Sequence, residues 1–170
     1  KYISRVFQNP LDNTAPRMTV AENMALAFNR GDKRTLKFSR NKENLILFEN
    51  LLKNLNLGLE QKINTEMGVL SGGQRQAIAL LMATMKAPQL ILLDEHTAAL
   101  DPKTQKKIMT LSEEKIKEKN LTALMITHNL QDALTYGNRM LLLHQGEIVR
   151  DFSEEEKKKL SVTDLYKIMV

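Results

Sequence analysis

Residues 70–101 read LSGGQRQAIALLMATMKAPQLILLDEHTAALD. Ser71, with Gln74 three positions on, has the form of a helix start closed reciprocally by its cap and its third residue. Gly72 and Gly73 leave backbone N–H groups of that first turn uncovered. The positive end of the helix dipole favours an anion there, so a phosphate can rest against Ser71 and Gly73. Ala77, Ile78, Leu81, Met82 and Met85 recur at helical spacing and predict a helix from Gly72 to about Lys86, ended by Pro88, with the methionines filling gaps in a core. Leu90 to Leu93 is apolar on both faces, as a buried parallel strand requires. Asp94 then emerges at the carboxyl end of that strand, where α/β sheets place their ligands. A carboxylate in that position suits Mg²⁺, which is held through one or two carboxylates together with phosphate oxygens. Glu95 is a second acid beside it. Ala98-Ala99-Leu100-Asp101 closes the turn into another helix, with Pro102 well placed at its first position.

In this order and within this span, the three motifs resemble the signature, Walker B and D-loop of the ATPase subunit of ABC transporters. Two further residues fit the resemblance. Gln8, at the end of the strand Tyr2 to Phe7 and before Asn9-Pro10, matches the Q-loop glutamine. His128, one residue beyond the apolar run Leu121 to Thr127, matches the switch histidine. The resemblance implies ATP and Mg²⁺ as cofactors. It implies that Asp94 and Gln8 hold the metal, that Glu95 polarises the attacking water, and that His128 contacts the γ-phosphate and links it to the catalytic acid. It further implies that two subunits close head to tail. Ser71, Gly72, Gly73 and Gln74 then serve the partner's nucleotide, and Asp101 couples the two sites. The implied partners are a second copy of the ATPase subunit, transmembrane permease subunits and, indirectly, an extracytoplasmic substrate-binding protein. Nucleic acid is not among them, and the implied place is the cytoplasmic face of the cell membrane. Ser4 to Pro10, with Asp94 to Thr97, looks like one bacterial group of tryptophan/tyrosine or other amino-acid importers. The pattern departs from the family at His96, where proline is usual; we take it as a subfamily variant rather than a new ligand.

The remaining sequence fits around these motifs. The 170 residues suffice for one domain with a sizeable core, and the net charge of +5 suits work near anionic lipid or nucleic acid without proving either. The chain holds no cysteine, so disulfides and thiolate metal sites are excluded. Apolar runs fall far short of the roughly 20 residues a spanning helix needs. Thr19 and Glu22 form a second capping box, opening a helix from Val20 to about Asn29 that Gly31 stops. Arg30, Lys33, Arg34, Lys37, Arg40 and Lys42 make a basic stretch: a solvated loop, or a contact with lipid headgroups or a membrane partner. Nucleic acid fits less well, for few aromatics interleave. Leu45, Phe48, Leu52 and Leu55 mark an amphipathic helix over Asn41 to Leu55. After Asp101 a helix runs to about Lys119, with Ile108, Leu111 and Ile116 inward; Leu121 to Thr127 is a buried strand. A short helix spans Asn129 to Tyr136. Met140 to His144 and Glu147 to Phe152 form a hairpin around Gln145-Gly146. Ser153 with Glu156, and Ser161 with Asp164, cap two last helices, and Lys157 to Lys159 form a solvated face.

The fold class expected is α/β: part of a P-loop NTPase (RecA-like) core with an inserted helical subdomain. The sequence contains no G-x-x-x-x-G-K-[ST] phosphate loop. We therefore expect residues 1–170 to be the C-terminal two-thirds of one ABC ATPase domain, lacking the Walker A strand and the β-subdomain. Within it, 16–87 are the helical subdomain with the signature, 1–15 and 88–152 parts of the core, and 153–170 C-terminal helices. A central strand would be missing between Leu121–Thr127 and Met140–His144, so the 140–152 hairpin is expected to shift onto the bare edge, swap, or pair between chains. Two other functions stay open at this point: a soluble ABC-type ATPase acting on ribosomes or DNA, and a non-catalytic fragment that dimerises with full-length subunits.

Overall fold

Leu90–Asp94 is the middle strand of a three-stranded parallel sheet in the order β1 (Ile3–Val6), β2 (Leu90–Asp94), β3 (Thr122–Ile126). The computed structural model describes residues 2–32 and 42–169. The register sets Val6 beside Leu93 and Asp94 beside Ile126, so the carboxyl ends of all three strands are level. Residues at even spacing share a face of a strand. Val6, Ile91 and Leu93, with Ala123 and Met125, turn into the core. The opposite face is open: Ile3 is 57% exposed, Leu124 55% and Ile126 62%. β3 is thus covered on one side only, which corrects the expectation of a strand buried on both.

The helices lie where their caps and apolar spacing put them. Thr19 opens α1 (Val20–Phe28) with a complete capping box, its N–H donating to Glu22 Oε2 at 2.7 Å. α2 (Lys42–Lys53) buries Phe48 and Leu52. Two short 3₁₀ turns, Leu59–Lys62 and Met67–Val69, lead from α2 toward the glycine turn. α3 (Gly72–Thr84) follows. It is buried on nearly every side beyond its first turn, including Gln76 and Thr84 as well as its apolar residues. α4 (Pro102–Glu118) presents Ile108, Met109 and Leu111 inward. α3 packs on β1, on α1 and on α4. The inner part of the basic stretch, 33–41, lies outside the described residues. Its first member, Arg30, donates to the buried Ser4 Oγ at 2.5 Å.

The chain divides into two compact units, Lys1–Ile126 and Thr127–Val170. The second holds α5 (Leu130–Thr135), the antiparallel hairpin β4 (Met140–His144) and β5 (Glu147–Phe152), and the helices α6 (Glu154–Lys157) and α7 (Val162–Met169). Gln145 and Gly146 both have positive φ, 48° and 85°, as a tight hairpin turn requires. The hairpin forms its own two-stranded sheet and does not extend the three-stranded one. The expected shift onto the edge of β3 is therefore not made. β4 and β5 pair with each other from Met140–Phe152 to His144–Glu147, with a register shift between Leu142 and Leu143, and each keeps an outer row of backbone groups that this pairing does not use. The solvated lysine face needs a correction too. Lys157 is only 4% exposed, and its ammonium donates to the carbonyls of Tyr136 and Gly137.

Candidate functional site

The glycine turn is built by reciprocal bonds. Ser71 Oγ accepts from the Gln74 N–H at 3.3 Å, and Gln74 Oε1 accepts from the Ser71 N–H at 3.2 Å. Lys62 Nζ donates to the same Gln74 oxygen at 3.3 Å. Arg75 holds the entry to the turn by donating to the carbonyls of Gly68 and Leu70, at 3.1 and 2.6 Å. Gly73 is tied to α4: a Cβ added there would lie 2.3 Å from Thr104 Cγ2, a distance no packed pair tolerates. Asp101 caps α4, its Oδ1 accepting from the Thr104 N–H at 3.1 Å. The Thr104 hydroxyl, bonded to this carboxyl, is the leading cause that holds it below the usual carboxylate range.

At the carboxyl end of the sheet stand Gln8, Asp94 and Glu95. Asp94 is met by Arg5, whose guanidinium donates to Asp94 Oδ2 at 2.5 Å and lies 4.3 Å from the centre of the Phe7 ring. Glu95 takes the left-handed backbone, φ 43°, which a side chain of its kind rarely adopts. Its N–H donates to the Ile126 carbonyl and its own carbonyl accepts from Ala98, so the bent backbone is pinned from both sides. His96 is buried. Its Nε2 lies 2.9 Å from Ser112 Oγ, and that hydroxyl gives its only proton to the Ile108 carbonyl. The imidazole must then donate from Nε2. Burial lowers its pKa to about 4, so it is a neutral tie between the turn and α4. Gln8 is exposed, just past β1. The buried Gln76 of α3 donates to the Phe7 carbonyl at 3.2 Å and so ties α3 to that end of β1; its Oε1 has no partner. Among the described residues no three His, Cys, Asp or Glu come together to cage a metal. A single carboxylate at a strand end instead fits Mg²⁺ carried in with phosphates, which keeps most of its ligands from elsewhere.

His128 belongs to the second unit. It stands exposed between Thr127, whose Oγ1 accepts from the Asn129 N–H at 3.0 Å, and Asn129. The Asn129 side chain in turn caps α5 by accepting from Gln131 and Asp132.

A family model described as ABC transporter matches residues 1–98. The chain is 46% identical over 164 residues to a tyrosine transport ATP-binding protein of Clostridioides difficile (strain R20291), an alignment covering 96% of this chain and 64% of that protein. The chain belongs to the ABC transporter family. An aliphatic sulfonates import ATP-binding protein of Burkholderia ambifaria is 38% identical to this ABC chain over 136 residues, covering 80% of it and 38% of the relative. An ATP-binding cassette solved as a dimer in a post-hydrolysis state, bound to ADP and Pi, superposes with a TM-score of 0.73 at 32% identity, covering 91% of this chain and 63% of that one. The fold is accordingly a partial P-loop NTPase fold, and the chain spans less than two thirds of the length of these proteins.

In this ABC chain the structure brings Gly72 and Gly73 against the turn that carries Asp101, through Leu100 and Thr104. It also sets Asp94 at the carboxyl end of β2, with Gln8 and Glu95 just past the carboxyl ends of β1 and β2. Sequence reasoning missed Arg5, Gln76 and Thr104. Arg5 did leave a signal, as the one charge in the short strand that leads to Gln8. Thr104 and Gln76 look like ordinary helical residues in the sequence.

Proposed function

We propose that this chain is part of the energy-coupling ATPase subunit of an amino-acid importer. ATP is bound between two such subunits arranged head to tail, and its hydrolysis moves permease subunits between inward- and outward-facing states. Asp94, with Gln8, would hold the Mg²⁺ that accompanies the nucleotide, which when bound would offset part of the phosphate charge. Glu95 accepts a proton from the attacking water, a role worth roughly 10²–10⁴-fold in rate. His128 orients toward the γ-phosphate. Ser71, Gly72, Gly73 and Gln74 bind the phosphates of the partner's ATP through the first turn of α3, and Asp101 lies across the interface. The observation that carries this reading is the gathering of Gln8, Asp94 and Glu95 at the carboxyl ends of parallel strands, with Glu95 held in a left-handed conformation. Functional sites are where such backbone strain is usually kept.

These 170 residues contain no phosphate loop of their own, so by themselves they are expected to turn over ATP at a negligible rate. The subunit sits on the inner face of the membrane, reached through its permease partners; no helix among the described residues is long and apolar enough to cross it. The test is ATP hydrolysis by the full-length gene product with Mg²⁺. Glu95→Gln is expected to lose at least about 100-fold in rate while still binding nucleotide. Undiminished turnover would overturn the assignment. Loss of tyrosine or tryptophan uptake on deletion of the gene separates the importer reading from a soluble ATPase.

A further inference from the structure

Thr104, in the first turn of α4, uses every branch of its side chain. Its backbone N–H donates to Asp101 Oδ1 at 3.1 Å, and its side chain helps hold that carboxylate below the usual range. Its methyl faces α3: a Cβ on Gly73 would lie 2.3 Å from Thr104 Cγ2 and 3.6 Å from its Cβ. A β-branched side chain has few staggered positions. The present one sets the methyl against Gly73, and a rotation that relieves Gly73 moves the hydroxyl with it. At Gly72 the fit is looser: a Cβ added there would lie 3.6 Å from Leu100 Cδ2, an ordinary contact.

We propose that Thr104 is a positioning residue that joins the glycine turn and Asp101 into one rigid piece, so that both meet the neighbouring subunit's nucleotide in a fixed relation. The inference rests on the function proposed above. It also gives Gly73 a reason beyond baring its N–H: α3 and α4 approach so closely there that no side chain fits.

The experiment uses the full-length gene product and four variants: Gly73→Ala, Thr104→Ser, both together, and Thr104→Val. Alanine ordinarily improves on glycine within a helix. Here Gly73→Ala is expected to lower the melting temperature by roughly 3–10 °C, because it overpacks against the Thr104 methyl. Thr104→Ser removes that methyl, so the double variant is expected to melt within about 2 °C of Thr104→Ser alone. A double variant as unstable as Gly73→Ala overturns the contact. The second measurement is ATP-driven association of two subunits, followed by light scattering. Thr104→Ser keeps only the hydroxyl and Thr104→Val only the methyl. Each is expected to raise the ATP concentration for half-maximal association by roughly 3–10-fold, the loss of one modest contact. Nucleotide binding by separated subunits should stay unchanged, which a general loss of folding would not allow. An unshifted half-point in either variant removes the positioning role alone. No ATP-driven association in the unmutated protein removes the proposed function and this inference with it.

Discussion

At the scale of single residues, the site joins strain to burial. Glu95 holds φ 43°, and a left-handed backbone costs a non-glycine residue about 1–2 kcal/mol. Glu95→Gly is therefore expected to gain up to about 1 kcal/mol of stability in urea unfolding, after the extra chain entropy of glycine is set against the relief. In the same variant hydrolysis is lost. Glu95→Val, branched at Cβ, is expected to lose stability as well as activity. His96 makes a pH-dependent contribution. Its pKa in the fold, about 4, lies below the ordinary 6.5, so the unfolded chain binds more protons between these values and stability falls as pH is lowered through that window. From pH 7.5 to 5 the loss from this one group is roughly 2 kcal/mol. Above about pH 6.5 it contributes no pH dependence. His96→Gln should keep a donor to Ser112 and remove that part of the pH dependence, read as the difference between urea midpoints at the two pH values. The Arg5–Asp94 pair belongs to this scale also. Both partners are partly exposed, Arg5 49% and Asp94 32% in the side chain. Such a pair is worth about 0–1 kcal/mol. It is weak enough to give way when a stronger partner competes for the carboxylate.

At the scale of elements, caps decide where segments start. Ser71 with Gln74, Thr19 with Glu22, and Ser153 with Glu156 all close their helices as a local reading of the sequence predicts, because the partners are three residues apart. The ends of α5 are set differently. Asn129 closes its start, and Lys157 comes from α6 to bind the carbonyls of Tyr136 and Gly137 just past its end. A cation at a helix carboxyl end is favoured, and a buried carbonyl stripped of its donor costs about 1–3 kcal/mol. Lys157→Met is expected to destabilise the second unit by that amount. Faster hydrogen exchange at α5 amides would register it, and unchanged exchange would count against the role. Lys157 reads as surface from the sequence because its partners lie 21 and 20 residues away. Arg5 and Asp94 are 89 residues apart. Contacts of this kind depend on which strands become neighbours, and no local pattern carries that information. β3 shows the same limit. Its apolar run predicts a strand correctly but not that Leu124 and Ile126 remain exposed.

At the scale of the whole molecule, the order of the motifs made the family legible before any coordinate. The hairpin turn at Gln145-Gly146 also follows from the sequence, whereas the β1–β2–β3 order is not carried by any local pattern of residues. Placing the hairpin required the pairing itself. The central claim concerns two subunits: the glycine turn of one and the acids of the other act on a single ATP. Mixing two inactive full-length variants, Ser71→Arg and Glu95→Gln, tests it most directly. In a head-to-tail pair, the Ser71→Arg subunit supplies its intact Glu95, and the Glu95→Gln subunit supplies its intact Ser71, to the same nucleotide. The account predicts that the mixture regains a substantial fraction of wild-type ATP hydrolysis although each variant alone is silent. A mixture as inactive as its components would show that both residues serve the nucleotide of their own chain, and the account would be wrong.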